Sequence, residues 1–197
     1  MSPRGVAIPD IRERLFTAAE QVLTREGPGA LTSRAITGEA GCAKGMLHAH
    51  FAGLDEFVAE LVLDRFARAA HQAEGLQHRV GQATVPENLR GVALALLSSA
   101  GPTLAGLALT RPGASEQIRQ ALSAGAPGFA TVQDAITAYL DREQQHGRLP
   151  ATDTATIALA LVGTVHHLLM TGQSGTPDAH DRIERLTTLL GATGPGR

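Results

Sequence analysis

The stretch from Leu31 to Phe51 constrains this chain more than any other. Leu31-Thr32-Ser33-Arg34-Ala35-Ile36 is followed by Ala40-Gly41-Cys42-Ala43-Lys44-Gly45-Met46-Leu47-His48-Ala49-His50-Phe51. Thr32 is a residue type that caps helix N-termini, and Gly41 can take the left-handed turn that ends a helix. The pattern predicts a short helix, a glycine turn and a second short helix closing on an aromatic. That is the layout of a helix-turn-helix, whose second helix enters the DNA major groove. Lys44 is the only lysine among 17 Lys and Arg residues. On this reading it opens the second helix, where a cation can meet a phosphate or the N7/O6 edge of guanine.

The rest of the chain also reads as helical. Ile11, Leu15, Ala18, Ala19, Val22 and Leu23 lie on one face of a helix that Gly27-Pro28-Gly29 stops. Asp10 with Glu13 gives that helix its start signal. Gly53 opens a longer helix with Asp55 and Glu56 in its first turn, an apolar face of Phe57, Val58, Leu61, Val62 and Phe66, and an end at Gly75. Further helices are expected over 86–100, 104–110, 115–124, 129–146, 153–171 and 178–190, separated by Gly and Pro. Neither β alternation nor an internal repeat is visible. At 197 residues and 43% hydrophobic, with only 3% aromatic, the chain suits an all-α protein of two small parts packed through Ala and Leu.

Charge narrows the partners. With 19 acidic against 17 basic residues the net charge is −2, so any DNA contact must be local in its charge. One cysteine permits no internal disulfide. The N-terminal residues carry no apolar signal segment, and Pro102 or His166-His167 interrupts the longest apolar runs. The expectation is a cytoplasmic protein with no membrane partner. The sequence shows no nucleophile elbow, P-loop, dinucleotide-binding glycine motif or Cys-x-x-Cys, so it is not read as an enzyme and no cofactor is expected.

Residues Ile11 to Val58 resemble the TetR family of bacterial regulators. The match runs Arg14-Leu15-Phe16-x-Ala18-Ala19, Glu26-Gly27, Leu31-Thr32-x-Arg34-x-Ile36, Ala40-Gly41, and Gly45-x-Leu47-x-x-His50-Phe51. The segment Gly147-Arg148-Leu149, with Asp153 and the apolar helix after it, resembles that family's dimerisation region. The resemblance implies a helix-turn-helix domain with its connecting helix over 9–74 (motif 32–51) and a helical ligand-binding and dimerisation domain over 75–197. It implies a repressor that binds a palindromic DNA operator as a homodimer and is released by a small apolar ligand. Thr32, Ser33, Arg34, Lys44, Gly45, Met46, His48 and His50 would meet DNA, with Ala40, Leu47 and Phe51 in the core. Ile157, Leu161, Val165, Leu168, Ile183, Leu186 and Leu190 would form the dimer contact. Three positions depart from the family pattern. Ala43 stands where Ser or Thr usually caps, His48 replaces a tyrosine, and Leu54 replaces a phosphate-binding lysine. Losing a cap costs about 0.5–2 kcal/mol. These departures keep open a second reading, a TetR-like protein that has lost DNA binding and acts as a ligand-binding or antagonist protein.

Other polar residues have weaker claims. His71, His78, Arg111, Tyr139, His166 and Met170 are candidate contacts for a ligand in an apolar core. His166 and His167 point about 100° apart on a helix, so they do not form a paired metal site, and no metal is expected. Cys42 reads as a small residue packed into the turn. Arg4, in an N-terminal arm, could reach the minor groove. A helical-bundle enzyme or carrier would need convergent polar groups, which the sequence does not show.

Overall fold

The computed structural model describes residues 11–98, 106–107, 110–173 and 176–191. Among them are nine α-helices and no strand: α1 (Ile11–Glu26), α2 (Ser33–Glu39), α3 (Met46–His50), α4 (Leu54–Glu74), α5 (Val85–Ser98), α6 (Pro112–Ser123), α7 (Phe129–Gln145), α8 (Thr154–Met170) and α9 (Pro177–Gly191). Short 3-10 turns span Pro28–Ala30 and Gly75–Arg79. The helix expected over 104–110, the break at Gly101-Pro102, and Asp10 and Arg4 at the N-terminus lie wholly or mainly outside the described residues. α6 starts earlier than the sequence suggests because Pro112 fills its first turn, where a missing N–H costs nothing.

The helix stops are where the glycines put them. Gly27 has φ +80° after α1, and Gly147 has φ +70° after α7. Asp153 caps α8, its carboxylate accepting from the Thr156 amide at 3.0 Å. The Thr156 hydroxyl and that amide hold the Asp153 carboxyl below its usual range.

Two buried apolar clusters organise the chain. The first gathers α1, α2, α3 and the start of α4 around Leu15, Phe16, Ile36, Leu47, Phe51 and Phe57. Ala114 and Ile118 of α6 join it. The second is built from α5, α7, α8 and α9, around Leu89, Ile136, Tyr139, Leu161, Val165 and Ile183. α4 serves both. Phe57 to Val62 lie in the first cluster, and Ala70 and Ala73 in the second. Its 21 residues span about 31 Å. The clusters therefore divide within α4, and α6, although late in sequence, packs on α4 and joins the first cluster.

Charges fasten α4 to α1. Arg65 bonds Glu20 at 2.6 Å and reaches Glu13 and Asp64. Arg68 pairs with Glu13 and Asp64, and Arg12 with Glu60. Burial pulls the Arg65 guanidinium downward, but its carboxylates outweigh that and hold it above its usual range.

α8 and α9 correct one expectation. Ile157, Leu161, Val165, Leu168 and Ile183 are buried in the chain's own second cluster, with Leu186 and Leu190 packed against it. A period of 3.6 marks the more apolar face, and here that face is turned inward. The outward faces carry Leu159 (57% exposed), Met170 and Leu189 (66%), with Ala160 and Gly163 also exposed. Among the described residues, no helix is long and apolar enough to cross a membrane.

Candidate nucleic-acid interface

The helix-turn-helix is held at three points. Thr32 caps α2, its hydroxyl oxygen accepting from the Ala35 amide at 3.1 Å. At the other end Gly41 has φ +61°; its amide donates to Gly38, and the Cys42 amide donates to Thr37 at 3.0 Å. This is the Schellman arrangement that closes a helix through a left-handed residue. The Arg14 guanidinium of α1 donates to the Ala40 carbonyl at 2.5 Å and fixes the turn on the first cluster. Cys42 packs half-buried against the same cluster.

The third point is Phe51, just past α3. Its ring lies 5.0 Å from Phe57 and 5.9 Å from Phe16, centroid to centroid, and the Arg12 guanidinium sits 4.5 Å above it. α3 is thus anchored by its C-terminal end.

Its N-terminal end differs from the sequence reading. α3 begins at Met46, so Lys44 and Gly45 occupy the preceding turn, closed by the Met46 amide donating to the Ala43 carbonyl at 2.9 Å. The Ala43 methyl can accept no hydrogen bond, and no side chain caps α3. Lys44 therefore precedes the recognition helix instead of opening it.

Of the eight expected contact residues, Arg34, Lys44, Gly45, His48 and His50 are exposed, and Ser33 and Met46 are half-buried. Thr32 is exposed, but its hydroxyl is committed to the cap. Ala40, Leu47 and Phe51 are buried as expected. One exposed residue on α3 escapes the sequence reading, Ala49. The usable signal is its place two residues beyond Leu47, across the helix from the core.

Electrostatics single out two cations. In α1 to α4, Arg12, Arg25, Arg65 and Arg68 are bound to carboxylates, and Arg14 is spent on the Ala40 carbonyl. Glu39 and Glu26 hold the Arg25 guanidinium above its usual range, and Arg25 holds the Glu39 carboxyl below its own. Among the described residues, Arg14, Arg34 and Lys44 are the arginine and lysine side chains of this region without an ion pair; Arg14 is committed to the Ala40 carbonyl, and the other two both belong to the motif.

The ligand candidates do not converge. His71 and His78 are exposed, and His71 faces Glu74. Arg111 is bound to Asp55 at 2.9 Å, so it serves as a bridge between helices. His166 and His167 are both on the surface, with His166 edge-on to Phe129 at 5.1 Å. Met170 is 40% exposed. Only Tyr139 lies inside the second cluster. Its hydroxyl accepts from Asn88 at 2.9 Å, and burial pushes the phenol up to about 12. Beside it the Glu143 carboxylate, fully buried, accepts from the Gly81 amide at 3.1 Å and faces Arg148 at 3.2 Å. Periodicity puts polar residues at helical positions, but it cannot say which of them the tertiary fold turns inward.

The all-α frame, the capped turn and the exposed second helix define a helix-turn-helix regulator fold. Residues 15–61 match the family model of bacterial regulatory proteins of the tetR family. Over those residues the chain matches the tetR family, and its fold is the one seen in solved TetR-family regulators. Solved structures agree over nearly the whole length. A TetR-family regulator of Mesorhizobium loti superposes with a TM-score of 0.68 at 17% identity, covering 91% of this chain and 92% of that one. PfmR of Thermus thermophilus gives 0.61 at 18% identity, over 93% and 100%. FadR of Bacillus subtilis, solved with stearoyl-CoA, gives 0.63 at 17% identity, over 91% and 97%. No curated protein matches the chain.

Proposed function

We propose that this protein is a ligand-responsive transcriptional repressor that binds a palindromic operator as a homodimer. One observation carries the reading: the two Lys or Arg side chains of the α1–α4 region bound neither to a carboxylate nor to a backbone carbonyl, Arg34 and Lys44, both lie in the exposed helix-turn-helix. On this reading, residues 9–74 read DNA through Ser33, Arg34, Lys44, Gly45, Met46, His48 and His50, with Thr32 holding α2 in place. Residues 75–197 bind the ligand and the partner subunit.

A single helix-turn-helix reads few bases, and a two-fold dimer reads two half-sites one helical turn or a multiple apart. The outward faces of α8 and α9 supply the dimer contact. Leu159 and Leu189 offer apolar anchors, and Ala160 and Gly163 allow close approach. α4 is the lever that joins the parts. Its first turn is held by α6: Arg111 bonds Asp55, and Gly113 lies so close that a Cβ there would stand 2.5 Å from the Asp55 carboxylate. A ligand that displaces α6 thus displaces α4. It drives release only if it binds the displaced form better. The Ala- and Leu-rich second cluster favours an apolar ligand. The stearoyl-CoA of the Bacillus subtilis neighbour makes that compound the first to test.

The test is selection from random duplexes with the purified full chain, followed by titration of the enriched sequence with and without stearoyl-CoA. Enrichment of a near-palindrome supports the reading. A folded dimer that enriches nothing overturns it and leaves the second reading, loss of DNA binding. The uncapped α3 and the neutralised arginines of α1 and α4 are the observations that favour that alternative.

A further inference from the structure

We propose that Ala49 is the central base-reading residue of α3, packing its methyl group against a thymine 5-methyl in each half-site. The inference rests on the DNA-binding reading above.

Successive helical residues are 100° apart. Leu47 is fully buried and fixes the inward direction of α3. Two residues on, Ala49 falls within about 20° of the opposite direction, and Gly45 is the N-cap residue just before the helix. Both are exposed. Met46 and His48 stand about 100° to either side, and Phe51 returns to the core. The centre of the outward face is therefore one methyl group beside bare backbone. A Cβ at Gly45 would meet nothing within 4 Å, so the space above this face is open.

That surface has definite chemistry. Neither Gly45 nor Ala49 offers a side-chain donor or acceptor, so the centre of the face cannot read a purine edge by paired hydrogen bonds. The major-groove feature that suits an alanine methyl is the thymine 5-methyl group. The absence of bulk also lets the α3 backbone approach the groove floor. Arg34 and Lys44, both off α3, are left to bind phosphates or flanking guanines.

Replacing thymine by deoxyuridine removes that methyl without touching the protein. The experiment takes the operator enriched by the full chain and replaces its thymines one symmetric pair at a time. Affinity is measured for wild type, Ala49→Gly and Met46→Ala. One buried methylene-sized contact is worth about fourfold, so one pair should weaken wild type by about fifteenfold across two half-sites. Ala49→Gly should lose that sensitivity, and Met46→Ala should keep it. If circular dichroism shows that Ala49→Gly unfolds α3, Ala49→Asn takes its place and should shift the preferred base at that pair away from thymine. An operator indifferent to every deoxyuridine pair overturns the assignment while leaving DNA binding intact. Sensitivity that survives Ala49→Gly and vanishes in Met46→Ala moves the contact to Met46 and also overturns it. Failure to enrich any operator defeats the DNA-binding reading itself.

Discussion

Lys44→Ala should nearly halve the salt dependence of operator binding. Each Lys or Arg that neutralises a phosphate releases condensed counterions, and the slope of log K against log salt is about −0.9 per neutralised charge. In this protein few charges are free to do so. Arg12, Arg25, Arg65 and Arg68 each have a carboxylate within ion-pair distance. Moving Arg12, Arg25 or Arg65 to a phosphate would take that cation from Glu60, Glu39 or Glu20, and moving Arg68 would break its pairs with Glu13 and Asp64. Arg34 and Lys44 carry no such cost. Two cations in each of two subunits give a slope of about −3.6. Raising salt from about 50 to about 200 mM should then weaken wild type about 150-fold, against about 12-fold for Lys44→Ala, whose slope falls to about −1.8. Fluorescence anisotropy of a labelled operator over that salt range measures both. A wild-type slope steeper than about −7 would mean the paired arginines open toward DNA. A slope unchanged by Lys44→Ala would mean Lys44 touches no phosphate. Either result refutes the reasoning.

Three further outcomes test the frame behind that interface. Tyr139 is the only tyrosine and the chain has no tryptophan, so alkaline titration of tyrosinate absorbance reads this one side chain. It should titrate near 12 in the folded protein and near 10 in guanidinium. The folded state holds a proton that the unfolded chain releases first, so this stabilising contribution is full below pH 10 and is lost between about 10 and 12. Arg148→Ala leaves the buried Glu143 carboxylate with the Gly81 amide and the Tyr139 hydroxyl but without its cation. It should cost about 3 kcal/mol in urea unfolding, the low end for a broken buried pair because Arg148 is 30% exposed. Glu143→Gln in that background should recover part of the loss. Leu159→Arg should split the dimer in sedimentation while preserving the fold, whereas Leu161→Arg, at a position 1% exposed, should unfold the chain.

The motif is the most legible part of the sequence because its signals are local. Thr32, Gly41 and Gly27 act on the backbone within a few residues, and each cap or turn falls where its residue type places it. The start of α3 departs from the sequence reading for an equally local reason. The resemblance carries a capped helix onto a position where Ala43 has no oxygen to cap with, so the first turn is unwound and Lys44 lies outside the helix. Long-range facts leave no such trace. That Arg111 bridges to Asp55, or that α6 joins the first cluster, depends on residues more than fifty apart meeting in space.

The faces of α8 show where the limit lies. Both sides of this helix are apolar enough to bury, since Leu159 and Met170 lie on the outer face while Leu161 and Leu168 lie within. A periodic pattern identifies a stripe but not what covers it, and a helix between its own core and a partner needs two stripes. The sequence pattern shows one stripe, which the resemblance gives to the partner. The structure assigns it to the core, and the proposed dimer contact moves to the exposed outer face. Small side chains there are what close packing between two copies of one helix requires, because each Cβ at the crossing meets its own symmetry mate. That same economy recurs at α3, where Gly45 just before the helix and Ala49 within it are exposed. On both helices the surface offered to a partner is built from what the side chains leave out.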